Sequence, residues 1–268
     1  MWKALAILAA LLTAVPAQAN EGFDHRHRAW GELLEKHVVW HQGGVASAVD
    51  YPGFVADKTA LASYLADLSA VSETDYNRWS KDHQLAFLIN AYNAFTIKLI
   101  LDHWPLESIK DIGGWFRSPW KMRFFTLLGK GRHLDWIEHE VIRKPGNFNE
   151  PRIHFAVNCA AIGCPALRPE AYVGERLSSQ LEDQTRRFLA DRSRNRVDGD
   201  ILRLSSLFNW YREDFERGWQ GVESLADFLL PHAQTLGIPP SNQDRQSFDQ
   251  LPLEFLDYDW RLNGVPPP

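Results

Sequence analysis

From Ala86 to Leu101 the chain is apolar almost all the way round a helical projection. A helix without a polar face belongs in a protein interior, so the remaining chain has to wrap around this one. Ser80 is placed to cap it, Asp82 falls in its first turn, and Pro105 forces an end near His103. Shorter elements surround it. The pattern predicts a helix from Asn20 to Gly44 with Trp30, Leu33, Leu34, Val38 and Trp40 as its apolar positions, and another over Lys58 to Leu68. Phe124 to Leu128 reads as a strand that turns at Gly129 to Gly131. Asp135 and Glu138 have the spacing of a capping box, opening a helix to Arg143. Ile153 to Val157 reads as a short buried strand, and Glu170 to Asp191 as a charged helix. Val197 to Ile201 is a hairpin, a helix follows through Phe215, and the chain after Gly237 is irregular. The expected fold is α+β: one predominantly helical domain with a small antiparallel sheet, over residues 20–268.

The first 19 residues have the marks of an export signal. Lys3 is followed by the apolar run Ala4 to Val15 and by Ala17-Gln18-Ala19, so maturation is expected before Asn20. The run is short of the ~20 residues a membrane helix needs, and no other uncharged stretch approaches that length. A periplasmic or secreted protein without a membrane span is expected. Losing Lys3 moves the net charge from −5 to about −6. With no Lys/Arg stripe, this argues against a nucleic-acid partner. Eleven tryptophans imply an aromatic core or an aromatic-lined concavity.

Both cysteines, Cys159 and Cys164, lie in one short stretch that also holds His154. A thiol at the end of a buried element is a plausible nucleophile when an imidazole lowers its pKa. Cys159 is favoured over Cys164 because it follows the expected strand directly. A disulfide is the rival. In a continuous strand the two α-carbons would lie ~16 Å apart, so pairing requires a tight turn through Ile162 and Gly163. So short a loop would contribute only ~2 kcal/mol. His139, next to Glu138, is the first candidate base. His154 is the second, its side chain expected to leave the strand on the face opposite Cys159. Asn90 and Asn93 share one face of the apolar helix beside Tyr92. Buried carboxamides must be hydrogen-bonded, so these either face a cavity as oxyanion donors and orienters or pin neighbouring loops.

Arg168, Arg117, Lys121 and Arg123 flank the cysteine loop and the Trp- and Arg-rich segment Gly113 to Phe125, which holds the candidate Trp115. A cleft so lined would suit a carboxylate-bearing small peptide, and the alternative for each basic residue is ordinary surface charge. Tyr92, His154 and Cys164 complete the expected substrate-binding set. His37 and His41 have a metal-binding spacing but no third ligand. They and His25 and His27 read as surface residues, and a zinc site on both cysteines is disfavoured by the C-x4-C spacing. No metal and no cofactor are expected.

Four motifs occur in order: F-L-I-N-A-Y-N at Phe87 to Asn93, L-D-W-I-E-H at Leu134 to His139, I-H-F-A-V-N-C…C-P at Ile153 to Pro165, and Y-D-W-R-L-N at Tyr258 to Asn263. Together, over about Asp82 to Asn263, they resemble the bacterial members of the family known as domain of unknown function 547. The resemblance implies a papain-like cysteine hydrolase acting on glutathione-like peptides, or, by analogy with plant relatives, an interaction protein. In the papain order the nucleophile precedes its histidine, whereas only His232 follows the cysteines here. The leading expectation is an exported, cofactor-independent hydrolase of an amide bond. In it Cys159 attacks, His139 serves as base, Glu138 or Asn93 orients the imidazole, and Asn90 or a loop N–H holds the oxyanion. The alternative is a non-enzymatic periplasmic binding or scaffold module with a Cys159–Cys164 disulfide.

Overall fold

The computed structural model describes residues 22–114 and 117–265. The expected export signal and Trp115 lie outside them. Ser80 accepts a hydrogen bond from the His83 N–H and starts the long central helix, which runs Lys81–Asp102. By length and composition this helix could cross a bilayer, but it is buried in the core on nearly every side. Packed around it on its N-terminal side are α1 (Arg28–His37), the antiparallel pair β1 (Val38–His41) and β2 (Ala46–Val49), α2 (Tyr51–Ala56), α3 (Lys58–Ala70) and α4 (Glu73–Arg78). The central helix is thus α5. The single helix expected over 20–44 is therefore shorter. It stops where the β-branched pair Val38-Val39 favours extended backbone and finds a partner in Ala48-Val49.

After α5 comes the ribbon β3 (Phe125–Leu127) and β4 (Lys130–Arg132), turning through Gly129. The helix expected from Asp135 forms as a π-turn over Trp136–Ile142, and the Asp135 side chain does not cap it. The chain then enters α6 (Leu177–Ala190) and the hairpin β5 (Arg196–Asp198) and β6 (Ile201–Ser205). Two short helices follow, α7 (Leu207–Trp210) and α8 (Arg212–Phe215), where one was expected. The region after Gly237 is less irregular than its prolines imply, because β7 (Leu253–Leu256) adds to β6 in parallel. The fold is α+β and largely helical, and among the described residues the strands form two antiparallel ribbons and one mixed three-stranded sheet rather than a single small sheet.

The hydrophobic interior has two parts. The larger surrounds α5; the smaller gathers Phe155, Phe188, Phe208, Phe215 and Phe228 between α6, β6 and the C-terminal helices. Where a strand was expected over Ile153 to Val157, residues Pro151–Phe155 form a 3-10 turn that joins them. Pro151 fits the first position of such a turn, and the Glu150 carboxylate accepts from the Arg152 N–H to close its start. In a strand, Ile153 and Phe155 would share a face and His154 would oppose both. A 3-10 turn places successive residues about 120° apart. Ile153 therefore enters the α5 cluster and Phe155 the phenylalanine cluster, while His154 faces the seam.

Candidate functional site

At that seam lies a cavity of about 290 Å3. Its wall takes Tyr92 from α5, Trp120, and Asp135, Glu138 and His139 from the π-turn and its start. The turn Pro151–Phe155 and the loop after it supply His154, Cys159 and Cys164. The C-terminal part closes it with Trp210, Tyr211, Tyr258 and Trp260. Glu138, His139, His154, Tyr92 and both cysteines, all singled out from the sequence, therefore share one cavity.

The two asparagines do not. Asn90 Nδ2 donates to the Tyr172 carbonyl at 2.7 Å, and its Oδ1 accepts from the Tyr172 N–H at 3.0 Å. Asn93 Nδ2 donates to the Ala156 carbonyl, and its Oδ1 accepts from the Asn158 N–H. With both ends of each carboxamide engaged, neither is a free oxyanion donor nor an orienter of His139. They are pins for the backbone. Asn158 continues the network: it donates to the Pro165 carbonyl and accepts from the Ala160 N–H and from Asn263 Nδ2. The cysteine loop is thus held from α5 on one side and from the C-terminal segment on the other.

Within that loop the Cys164 N–H donates to the Ala161 carbonyl, and this tight turn brings the cysteine α-carbons to 6.2 Å. The sulfurs are joined as a disulfide. Neither cysteine is therefore a free thiolate in this structure, and the rival pairing is the one realised. The Cys159 N–H points at Cys164 Sγ at 2.9 Å. The Tyr258 hydroxyl lies 3.2 Å from Cys159 Sγ and donates to Cys164 Sγ at 3.1 Å. Gly163 permits this approach, because a Cβ there would meet the Tyr258 ring at 2.9 Å.

His139 is exposed, its Nδ1 accepts from Arg143 at 2.6 Å, and its Nε2 faces Asp135 Oδ1 at 3.7 Å, beyond hydrogen-bond reach. His154 differs. It is 1% exposed, stacks on Tyr211 with ring centres 4.0 Å apart, and lies on the same cavity as Cys159 rather than across the chain from it. Its Nε2 is 2.7 Å from Asp214 Oδ2, and its Nδ1 has no hydrogen-bond partner. Burial lowers the pKa of this imidazole, outweighing the upward pull of the Asp214 hydrogen bond. Asp214 resists its own burial. Hydrogen bonds from His154 and Arg143 hold its carboxyl down at about 2. A neutral imidazole donating Nε2–H to a carboxylate leaves Nδ1 as a proton acceptor. Burial raises the Tyr92 and Tyr211 phenols, and the Glu138 carboxylate against which both sit raises them further. Glu138 thus faces phenols, not His139.

Arg168 lies elsewhere, buried in ion pairs with Glu170 and Asp183. Arg117, Lys121 and Arg123 do not line the cavity, and among the described residues no arginine or lysine does. His27 and His37 are buried rather than surface residues, bonded to Tyr64 and Asp57. Among the described residues no cluster of three or more acidic, histidine or cysteine side chains could hold a metal ion. Asp214, Tyr211, Trp120 and Trp210 were not singled out beforehand. Tyr258 and Trp260 stood in a motif whose role the spacing did not reveal.

The segment carrying the cysteines, His154 and the central helix matches a known family. Residues 76–189 match the model of the family described as protein of unknown function, DUF547. Its matched segment is shorter than the span over which the four motifs run, and Asp214, Tyr258 and Trp260 lie beyond it. No curated protein and no solved structure matches the chain.

Proposed function

We propose that this cavity is the active site of an exported, thiol-dependent hydrolase that cleaves an amide bond in a small peptide, and that the disulfide is its resting form. The observation that carries the reading is the His154–Asp214 pair: the imidazole lines the same cavity as Cys159 and keeps one ring nitrogen without a hydrogen-bond partner. A thiol reductant would open the disulfide, giving two protein thiols and an oxidised reductant. His154 Nδ1 would take the Cys159 proton, and the thiolate would attack the amide carbon. The imidazolium, held by Asp214, would return the proton to the leaving amine. Water, deprotonated by the same ring, would then release the acid from the thioester. Tyr258 and the Cys159 N–H, both now directed at sulfur, are the nearest donors for the oxyanion. This replaces His139 with His154 as base and Asn90 with Tyr258 as oxyanion donor. A papain-like arrangement is retained only as an analogy of roles, since the histidine precedes the cysteine in the chain.

The test is turnover of glutathione and related γ-glutamyl peptides by reduced and oxidised protein. Activity is expected in the reduced form alone, lost in Cys159→Ala and lowered about 10²–10⁴-fold in His154→Gln. Equal rates for wild type and Cys159→Ala would end the assignment. The disulfide itself favours a second reading, a binding module stapled at this loop. That reading expects no titratable thiol after mild reduction, and ligand binding indifferent to iodoacetamide.

A further inference from the structure

The sequence favoured a carboxylate-bearing ligand, but the cavity has the opposite character. Two carboxylates line it: Glu138, which is 5% exposed, and Asp135. Apart from Leu207, its C-terminal side is aromatic. Trp260 packs against Tyr258 with ring centres 4.6 Å apart, against Trp120 at 5.8 Å and, nearly parallel, against Trp210 at 6.0 Å. Trp210 is 47% exposed, unusual for an indole, and lies on the cavity wall. The Trp260 ring already carries one ammonium, Lys110 Nζ, 3.7 Å from its centre. A neighbouring guanidinium, Arg143, is paired with Asp214 and lies over Tyr211, so it is not free to receive an anion. Lys121 stands 3.9 Å from Asp135, which leaves Glu138 as the buried carboxylate without a cationic partner.

Aromatic faces attract cations through their quadrupole, and a carboxylate at the same site adds a full charge. We infer that the cavity binds an organic ammonium group, with Glu138 as counter-ion and the Trp210–Trp260–Tyr258 wall as its cage. A peptide carrying a free amino group, rather than one recognised by its carboxyl end, is then the ligand class. The inference deepens the hydrolase reading by naming which end of the substrate is gripped.

The experiment is calorimetric titration of the oxidised protein, in which the sulfurs are bonded and no turnover intrudes. The probes are alanyl-alaninamide, its N-acetyl derivative and N-acetyl-alanyl-alanine. The free ammonium is expected to bind at least about tenfold more tightly than the acetylated amide. Glu138→Gln should erase most of that advantage, and Trp210→Leu, on an exposed side chain, should reduce it without endangering the fold. Equal affinity for the first two probes, preference for the acetylated acid, or no heat from the free ammonium would overturn the inference. Because binding is read on the oxidised protein and turnover on the reduced one, an ammonium preference without peptide turnover by the reduced protein overturns only the hydrolase reading. Turnover with no such preference overturns only the cage.

Discussion

Around α5 the core is mostly aliphatic, and buried carboxamides reach out of it to hold backbone: Asn90 on Tyr172, Asn93 on Ala156 and Asn158. Around Phe155 the core is aromatic, with six phenylalanines among its buried members; it sends Tyr211 to the cavity wall and Asp214 to His154 behind it. The first region, with the cysteine loop, falls largely within the family segment 76–189; most of the second lies after it. The cavity draws its sulfurs, His154 and Glu138 from the one, and most of its aromatic wall from the other, which also supplies Asp214 behind His154. The difference separates two tasks: a scaffold, largely within the segment matched by the family model, that holds the cysteine loop, and a C-terminal part that sets the surroundings of the cavity.

The sharpest way to break this division is Phe155→Ala, which empties the centre of the aromatic cluster and should cost about 3–5 kcal/mol. Urea unfolding followed by near-UV and far-UV dichroism should show whether the loss stays local. A single shifted transition means the two cores fold as one, and two transitions mean that the C-terminal part melts alone. Next in size, Asn93→Ala and Asn90→Ala should each cost about 2–4 kcal/mol, because each strands a buried donor and a buried acceptor. They should differ in chemistry. Only Asn93→Ala should speed reduction of the disulfide by dithiothreitol, since Asn93 anchors the residues leading into Cys159. Equal acceleration by both would make the pins interchangeable and weaken the comparison.

A smaller effect is set by pH. Burial brings His27 down to about 3 and also lowers His154. Both are proton-poor in the folded chain, while the unfolded chain takes up protons below about 6.5, so their stabilisation is intact above that pH and lost as pH falls toward the folded values. His27 alone should account for about 2 kcal/mol between pH 7 and pH 5. His27→Gln should flatten the dependence of the urea midpoint across that interval, and an unchanged slope would place the titration elsewhere.

Much of the fold was legible because its signals are local. The Ser80 cap, the Lys58 helix and the turns at Gly129 and Gly199 depend on residues within a few positions. The Pro151–Phe155 turn was misread because Ile, Phe and Val favour strands when no partner is considered, and here no strand runs alongside. Asp214 was invisible because its bond to His154 spans 60 residues. For the same reason His27 and His37 looked like surface groups, their partners Tyr64 and Asp57 lying 37 and 20 residues away. The cysteine pairing was left open because nothing in the spacing says that the chain doubles back at Ala161.

The three-way split at Ile153, His154 and Phe155 has an evolutionary corollary. Adding or deleting one residue between Pro151 and Phe155 would rotate every following side chain by a third of a revolution, delivering imidazole to a greasy slot and a benzyl group to the seam. Surface hairpins such as the one at Gly199 can lengthen or shrink across generations. This turn can vary in chemistry but not in count.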